Sequence, residues 1–310
     1  MTDLIKKISL YGIVPVIQIE DLEDAIPLAK ALCQGGLPVA EVTFRTPCAA
    51  EAIKLMKQAY PDMLIGAGTV LNPAQVDQAI AAGSEFIVSP GFNPTTVQYC
   101  LDKNIPIIPG TSTPSDMEKA IGMGLDLVKF FPAEASGGLK AIKAMSAPYN
   151  QLTFMPTGGI NLNNLHDYLS FDKIVACGGS WMVTPELLNS KDFDTIEEYT
   201  RQAVQHMLDI QLDHVELASD NKLQYQLSKN ILDTVFKEQN QQIIVSNDKS
   251  TLTTFVLTTS NIDRLIHFLS ERGLKFDDSS IKKNTEGKMI SIDLITDTNY
   301  RYRFIKKGDQ

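Results

Sequence analysis

One lysine lies inside an apolar, strand-like stretch of the sequence. It is Lys129, in the run LVKFF at residues 127–131. Burial disfavours the charged form of a lysine, and the neutral amine is the form that attacks a carbonyl carbon to give a Schiff base. The alternative is a lysine whose stem packs on apolar surface while its ammonium group reaches water. Alternation along a strand puts Lys129 on the same face as Leu127 and Phe131, which favours the Schiff-base interpretation.

A carboxylate and a guanidinium share one face of an earlier strand. Glu41, Thr43 and Arg45 lie on this face by strand parity, so Glu41 can point inward with Arg45 above it. An inward carboxylate and an inward lysine favour pairing, which predicts a general acid/base beside Lys129. A buried ion pair without a chemical role is the alternative. Arg45 and Thr69, at two strand ends, could hold a second charged group, since a guanidinium suits a carboxylate.

Two glycine turns follow two neighbouring strand-like runs. Thr157-Gly158-Gly159 follows the seventh run and Gly178-Gly179-Ser180 follows the eighth. Glycines let backbone N–H groups approach phosphate oxygens, and barrels often bind phosphate after these two strands. Either turn alone is more often only a tight turn. The two together favour a phosphate site.

These residues lie in or just after short β-rich runs that alternate with helix-like segments. We identify eight runs, at residues 13–17, 39–44, 63–65, 86–88, 105–108, 127–130, 152–155 and 174–177. Asn72, Asn93 and Thr113 each precede a proline, as at the start of a helix. This alternation predicts an α/β fold, a (β/α)8 TIM barrel. A doubly wound open sheet competes, but no GxGxxG motif follows the first run.

Composition predicts two domains, residues 1–210 and a smaller α+β domain at 211–310. All 15 prolines, all 4 cysteines and Trp181 lie at or before Pro185. A net charge of −9 argues against a nucleic-acid partner. No apolar run is long enough to span a membrane, and no secretory signal precedes the first domain. Cysteines without metal-binding spacing predict reduced thiols in a cytoplasmic protein.

The motifs of the first 210 residues form a recognisable series. They are GIVPVI (12–17), EVTFRTP (41–47), GAGTVLNP (66–73), SPG (89–91), PG (109–110), KFFPAEASGG (129–138), PTGGI (156–160) and GGSW (178–181). From about residue 5 to 205 the chain resembles the 2-keto-3-deoxy-6-phosphogluconate (KDPG) aldolase family, also known as 4-hydroxy-2-oxoglutarate (KHG) aldolase.

The resemblance implies a class I carbon–carbon lyase of the Entner–Doudoroff pathway that uses no metal or other cofactor. It would cleave KDPG to pyruvate and glyceraldehyde 3-phosphate, with Lys129 as the Schiff-base lysine and Glu41 as the proton shuttle. The implied substrate-binding residues are Arg45, Thr69, Pro90, Phe131, Thr157, Gly158, Gly159, Gly179 and Ser180. Arg45 and Thr69 would hold the carboxylate end, and the glycines and the serine the phosphate end. The family is typically a homotrimer.

One segment departs from the family pattern. Some relatives carry a basic residue just after the first strand, where this chain has Gln18-Ile19-Glu20. This leaves open the preference among KDPG, its galactonate-derived epimer and KHG, which would give pyruvate and glyoxylate. From a different class, the chain could be a non-catalytic sugar-acid sensor with the second domain as output. The three residues Lys129, Glu41 and Arg45 argue against it, because binding alone needs no nucleophilic amine.

The second domain shows a βαβββ order of strand-like and helix-like segments after the opening segment DHVEL at residues 213–217. This order resembles one module of the vicinal-oxygen-chelate, glyoxalase-like superfamily. Metal-binding members use a histidine on the opening strand, where His214 lies, and a carboxylate on a late strand. The late strand at residues 300–304 contains no acid, so we predict no metal site. We interpret the domain as an interaction, regulatory or oligomer-stabilising appendage.

Overall fold

The computed structural model describes residues 3–218, 242–246, 253–297 and 300–308. The chain folds into two compact units, Met1–Met207 and Leu208–Gln310. The predicted second domain also contains residues 219–241, 247–252, 298–299 and 309–310, which lie outside the described residues.

Parallel strands form the inner wall of the first unit. They are β1 (Ile13–Ile17), β2 (Val39–Thr43), β3 (Leu64–Gly68), β4 (Phe86–Val88), β5 (Ile107–Ile108), β6 (Gly110–Thr111), β7 (Leu127–Phe130), β8 (Thr153–Pro156) and β9 (Cys177–Gly179). Every residue of β2 and of β3 is buried. Burial of both strand faces is typical of a parallel sheet covered by helices.

The strands close into a ring. One sheet has the order β5-β4-β3-β2-β1-β9 and the other has the order β6-β7-β8. Pro109 separates β5 from β6 because proline has no N–H to donate to the ladder. Its carbonyl still accepts a hydrogen bond from the Lys129 N–H at 2.9 Å, and Thr157 forms a parallel bridge to Gly178. These two links join the sheets at both edges, so the predicted (β/α)8 barrel is confirmed.

Helices follow the strands on the outside of the ring. They are α1 (Asp3–Tyr11), α2 (Ala25–Gln34), α3 (Ala49–Ala59), α4 (Pro73–Ala81), α5 (Pro94–Asp102), α6 (Pro114–Gly122), α7 (Gly138–Ser146), α8 (Leu162–Leu169), α9 (Pro185–Asn189) and α10 (Phe193–Leu208). Asn72, Asn93 and Thr113 cap α4, α5 and α6, each accepting a hydrogen bond from a backbone N–H of the first turn. The predicted helix starts are therefore confirmed. No described helix is long and apolar enough to cross a membrane.

Glycines extend two strands beyond their predicted ends. The third run was expected to stop at residue 65, but β3 continues to Gly68, and β9 begins at Cys177 and includes Gly178 and Gly179. Glycine has low strand propensity, yet Gly178 and Gly179 pair with Val14 and Pro15 of β1. The prediction of a turn at residues 178–179 is wrong, because hydrogen bonds to the neighbouring strand outweigh local propensity.

The second unit contains one mixed sheet and one described helix. Its elements are β10 (Gln211–Ala218), β11 (Gln242–Ser246), β12 (Thr253–Thr259), α11 (Ile262–Ser270), β13 (Phe276–Lys283), β14 (Met289–Leu294) and β15 (Tyr300–Lys306). The strand order is β11-β10-β12-β15-β14-β13. Asn261 caps α11, which buries Ile262, Leu265 and Phe268. The element order from β12 to β15 is the predicted βαβββ order, and the glyoxalase-like resemblance stays a prediction.

Candidate active site

The structure brings Lys129 of β7 and Glu41 of β2 together inside the barrel. Lys129 Nζ lies 2.9 Å from Glu41 Oε1 and 3.3 Å from Glu41 Oε2. The side chains are 6% and 0% exposed, respectively. Lys129 Nζ also lies 5.3 Å from the centroid of the Phe131 ring. An amine and a carboxylate that touch in a water-poor site can exchange a proton directly.

The neighbouring strand β3 makes room for the Glu41 carboxylate. Glu41 pairs in register with Gly66, and Gly68 lies two residues further along the same strand. A Cβ at Gly68 would lie 2.4 Å from Glu41 Oε1, so only glycine fits there. Thr69 follows with a φ of 55°, which is strained for a β-branched residue. The strand end beside Glu41 therefore has a closely constrained backbone.

A cavity of about 400 Å³ lies at the carboxyl ends of the strands. Thr43 and Phe131 line it. Thr43 ends β2, two residues beyond Glu41, and Phe131 directly follows β7, two residues beyond Lys129. The ion pair is therefore one side-chain layer below the cavity. Arg45 is exposed at this cavity and is the charged side chain among its described lining residues. No described carboxylate pairs with Arg45, which leaves its guanidinium available to an anion.

The glycine turn after β8 presents backbone donors. Gly158 and Gly159 have φ values of 99° and 84°, in the region that favours glycine. Their carbonyls are occupied: Gly158 O accepts from Glu134 N–H at 3.0 Å, and Gly159 O accepts from Asn164 Nδ2 at 3.0 Å. Over the described ranges, no protein acceptor pairs with the N–H of either glycine. Free N–H groups on successive residues form an anion site.

The cavity contains most, but not all, of the predicted substrate-binding residues. Those that line it are Arg45, Phe131, Thr157, Gly158, Gly159, Gly179 and Ser180. The Thr157 hydroxyl is buried and has no hydrogen-bond partner in the described chain, so it can bind a ligand. Thr69 and Pro90 lie at the ends of β3 and β4 but do not line the cavity. Their predicted contacts with substrate stay predictions.

Several lining residues were not among the predicted substrate-binding residues. They are Val16, Ile17, Gln18, Thr43, Ile160, Val183, Pro185 and Leu188. Gln18 directly follows β1, so the rule that strand ends carry the chemistry could have assigned it to the site. Gln18 Nε2 donates to Glu20 Oε1 at 2.6 Å. Pro185 and Leu188 belong to α9, and no sequence signal indicated that this short helix returns to the cavity.

The described residues contain no cluster of side chains that could bind a metal ion. No group of three or more His, Cys, Asp or Glu side chains there could hold an ion. His214, the candidate ligand on β10, contacts carboxylates instead: its Nδ1 lies 2.6 Å from Asp213 Oδ2 and its Nε2 lies 3.6 Å from Glu216 Oε1.

Cleavage of a carbon–carbon bond through a lysine imine needs an amine kept out of water and a group that moves protons beside it. Class I aldolases, which are carbon–carbon lyases, work in this way. The first unit has both the barrel and the amine–carboxylate pair of this class.

Comparison with known proteins identifies the family within this class. The model for "KDPG and KHG aldolase" matches residues 4–199, and the chain belongs to this family. A 2-dehydro-3-deoxy-phosphogluconate aldolase of Haemophilus influenzae is 50% identical over 201 residues, which are 65% of this chain and 95% of that protein.

Two solved structures resemble the first unit. A KDPG aldolase of Legionella pneumophila, with pyruvate captured as a covalent carbinolamine, is 41% identical with a TM-score of 0.63, covering 65% of this chain and 98% of that chain. A Zymomonas mobilis KDPG aldolase with 3-phosphoglycerate is 43% identical with a TM-score of 0.61, covering 64% of this chain and 94% of that chain. In each of these comparisons, about two thirds of this chain matches nearly the whole length of the relative.

Proposed function

We propose that this chain is a class I aldolase that cleaves KDPG to pyruvate and glyceraldehyde 3-phosphate through an imine on Lys129. The observation that carries the proposal is the contact between the amine of Lys129 and the carboxylate of Glu41 beneath the cavity. Membership of the KDPG and KHG aldolase family supports the choice of substrate.

The first half of the reaction forms the imine. Lys129 passes a proton to Glu41, whose Oε1 lies 2.9 Å away, and the free amine attacks the C2 carbonyl carbon of the substrate. This gives a carbinolamine. Protonated Glu41 returns its proton to the departing hydroxyl group, water leaves, and a positively charged iminium remains on Lys129.

The second half breaks the C3–C4 bond. Glu41 removes the proton of the C4 hydroxyl group, the aldehyde product forms at C4, and the bonding electrons move to C3 as an enamine. The iminium nitrogen accepts this electron density, so Lys129 replaces the metal ion that other aldolases use as an electron sink. Glu41 then gives its proton to C3, and hydrolysis of the resulting iminium releases pyruvate and the free Lys129 amine.

The cavity offers a partner for each charged end of the substrate. We assign the carboxylate to the exposed guanidinium of Arg45 at the cavity, with Thr69 and Pro90 just after the neighbouring strands β3 and β4. We assign the phosphate to the free N–H groups of Gly158 and Gly159 and to the strand end at Gly179 and Ser180. Phe131 and Thr157 line the cavity between these ends.

KHG is a second candidate substrate. It has the same 2-oxo acid end, so it reacts at Lys129 in the same way and yields glyoxylate in place of the sugar phosphate. The segment after β1 is the reason to test KHG. Gln18 lines the cavity there and is hydrogen-bonded to Glu20, so this segment offers no basic side chain to bind the phosphate of KDPG. The ratio of kcat/KM for KDPG and KHG decides between them, and the galactonate-derived epimer belongs in the same comparison.

We also propose that the protein is a cytoplasmic homotrimer that needs no metal or other cofactor. Family membership supports the trimer, the lysine-based chemistry supports independence from a metal, and the four free cysteines support the cytoplasmic assignment. Mass measurement by light scattering tests the trimer, and activity after treatment with a chelator tests independence from metal.

Borohydride reduction in the presence of pyruvate tests the imine. We expect the protein to gain the mass of one reduced pyruvate, at Lys129, and to lose KDPG cleavage in parallel. Lys129→Met should gain nothing, whereas Lys54→Met, which removes a surface lysine paired with Glu51, should behave as wild type. An unmodified wild-type protein would contradict the aldolase assignment.

A further inference from the structure

A buried tyrosine lies behind the glycine turn. Tyr168, on α8, is 1% exposed and donates its hydroxyl hydrogen bond to Glu134 Oε1. Glu134 belongs to the segment that follows the Lys129 strand. The hydrogen bond therefore links the segment after β7, the strand that contains Lys129, to α8, the helix that follows β8 and the glycine turn.

Glu134 is in direct contact with the turn. A Cβ at Gly159 would lie 2.5 Å from Glu134 Cγ and 2.6 Å from Glu134 Cβ, so the Gly159 α-carbon packs on the stem of the glutamate. The backbone N–H of Glu134 also holds the Gly158 carbonyl at 3.0 Å. The carboxylate is thus only one bond beyond an atom that touches the turn.

A carboxylate in this position could compete with substrate. Glu134 is exposed, and an exposed glutamate ordinarily samples several rotamers. Successive free N–H groups such as those of Gly158 and Gly159 attract any nearby anion, and a second negative charge there would repel a phosphate. Burial, followed by the bond to Glu134, raises the pKa of Tyr168. The phenol therefore stays protonated and remains a donor at neutral pH.

We propose that Tyr168 is a positioning residue that holds the Glu134 carboxylate away from the glycine turn, so that the N–H groups of the turn stay free for the phosphate of the substrate. The inference rests on the proposed function, because it takes the turn as the phosphate site. Tyr168 itself does not line the cavity and acts only through Glu134.

The test compares KM with kcat in three variants. Tyr168→Phe frees the carboxylate, so KM for KDPG should rise about three- to tenfold, the effect of one hydrogen bond or one partly screened charge, with kcat within about twofold. Glu134→Gln keeps an acceptor for Tyr168 and removes the charge, so its KM should stay within about twofold of wild type. The double variant should regain the wild-type KM, because no charge is left to compete.

Two controls locate the effect. Pyruvate lacks the phosphate, so the pyruvate concentration that half-saturates borohydride trapping should be the same in Tyr168→Phe and wild type. Tyr149 lies before β8, and its hydroxyl donates a similar hydrogen bond to Glu118 Oε1 at 3.0 Å. Tyr149→Phe removes this bond and should leave KM for KDPG unchanged.

Several outcomes would overturn the inference. They are an unchanged KM in Tyr168→Phe, a tenfold rise in Glu134→Gln alone, a double variant as impaired as Tyr168→Phe, or an equal loss with pyruvate. The Glu134→Gln result does not depend on how well Tyr168→Phe folds. A wild-type protein that neither traps pyruvate nor cleaves KDPG would instead reject the proposed function, so the two failures are distinguishable.

Discussion

Each unit of the molecule contains an ion pair shielded from water, and the two pairs are built differently: the barrel pair is buried, whereas the pair of the second unit is partly buried. In the barrel, Lys129 and Glu41 are 88 positions apart in sequence and meet through one nitrogen. In the second unit, Arg303 and Asp293 are cross-strand neighbours on β15 and β14. Their contact is two-pronged: Nε to Oδ1 at 2.9 Å and Nη2 to Oδ2 at 3.2 Å.

Shielding of an ion pair from water does not by itself indicate catalysis. A guanidinium keeps its charge at all accessible pH values and cannot become a nucleophile, whereas a primary amine can. The hydrogen bond to Asp293 raises the pKa of Arg303 further, and Arg301 and Glu216 extend the network. The barrel pair instead lies below a cavity. We therefore assign chemistry to one pair and stability to the other.

The largest expected effect comes from neutralising the barrel carboxylate. Glu41→Gln keeps the shape of the side chain but cannot take the C4 hydroxyl proton, so kcat for KDPG should fall about 10²- to 10⁴-fold. Pyruvate should still be trapped on Lys129, more slowly. Steady-state kinetics and the mass of the reduced adduct measure the two effects.

A matched control exists for this variant. Glu85 pairs with Lys57 at 2.9 Å on the outside of the barrel, where the glutamate is 38% exposed. Glu85→Gln should retain wild-type kcat. A loss of less than about tenfold in Glu41→Gln would contradict its role as the proton shuttle.

The second unit should respond in stability rather than in rate. Arg303→Met leaves Asp293, whose side chain is 11% exposed, without its two-pronged partner. We expect the free energy of unfolding of the second unit to fall by about 1.5–3 kcal/mol, with kcat for KDPG unchanged. In urea, far-ultraviolet circular dichroism should show an additional unfolding phase at a lower urea concentration than in wild type. Trp181 is the single tryptophan and lies in the first unit, so its fluorescence should not show this phase.

Lys288→Met is the surface control for this experiment. Lys288 and its partner Glu286 are 59% and 67% exposed, so the pair contributes little to stability. Equal destabilisation by Lys288→Met and Arg303→Met would show that the partly buried network around Asp293 has no special role in stability. A large drop in kcat for Arg303→Met would contradict the assignment of all the chemistry to the barrel.

Parts of the site that depend on strand parity and strand ends could be predicted from the sequence. Lys129 and Glu41 each follow from alternation in a strand, and the turn at Gly158 follows from its position after β8. Contacts that depend on how distant segments pack could not be predicted. Leu188 reaches the cavity through α9, and the bond from Tyr168 to Glu134 spans 34 positions without any pattern that indicates it.

Removal of the second unit should have the smallest effect on catalysis. All proposed catalytic and substrate-binding residues and every described cavity-lining residue precede position 189, and the relative from Haemophilus influenzae is 95% covered by the matched 201 residues. A chain that ends at Ile210 keeps all of α10 and stops before β10. Its kcat/KM for KDPG should therefore lie within about twofold of the full chain.

The mass of the shortened chain in solution tests the remaining roles of the second unit. If the shortened and full-length chains form the same oligomer with the same kcat/KM, the second unit is neither catalytic nor oligomer-stabilising, and only an interaction or regulatory role remains. A shortened chain that falls apart into monomers would make the second unit part of the assembly. A loss of activity without a change in mass would contradict the separation of chemistry and stability between the two units, because the barrel pair would then depend on residues beyond position 210.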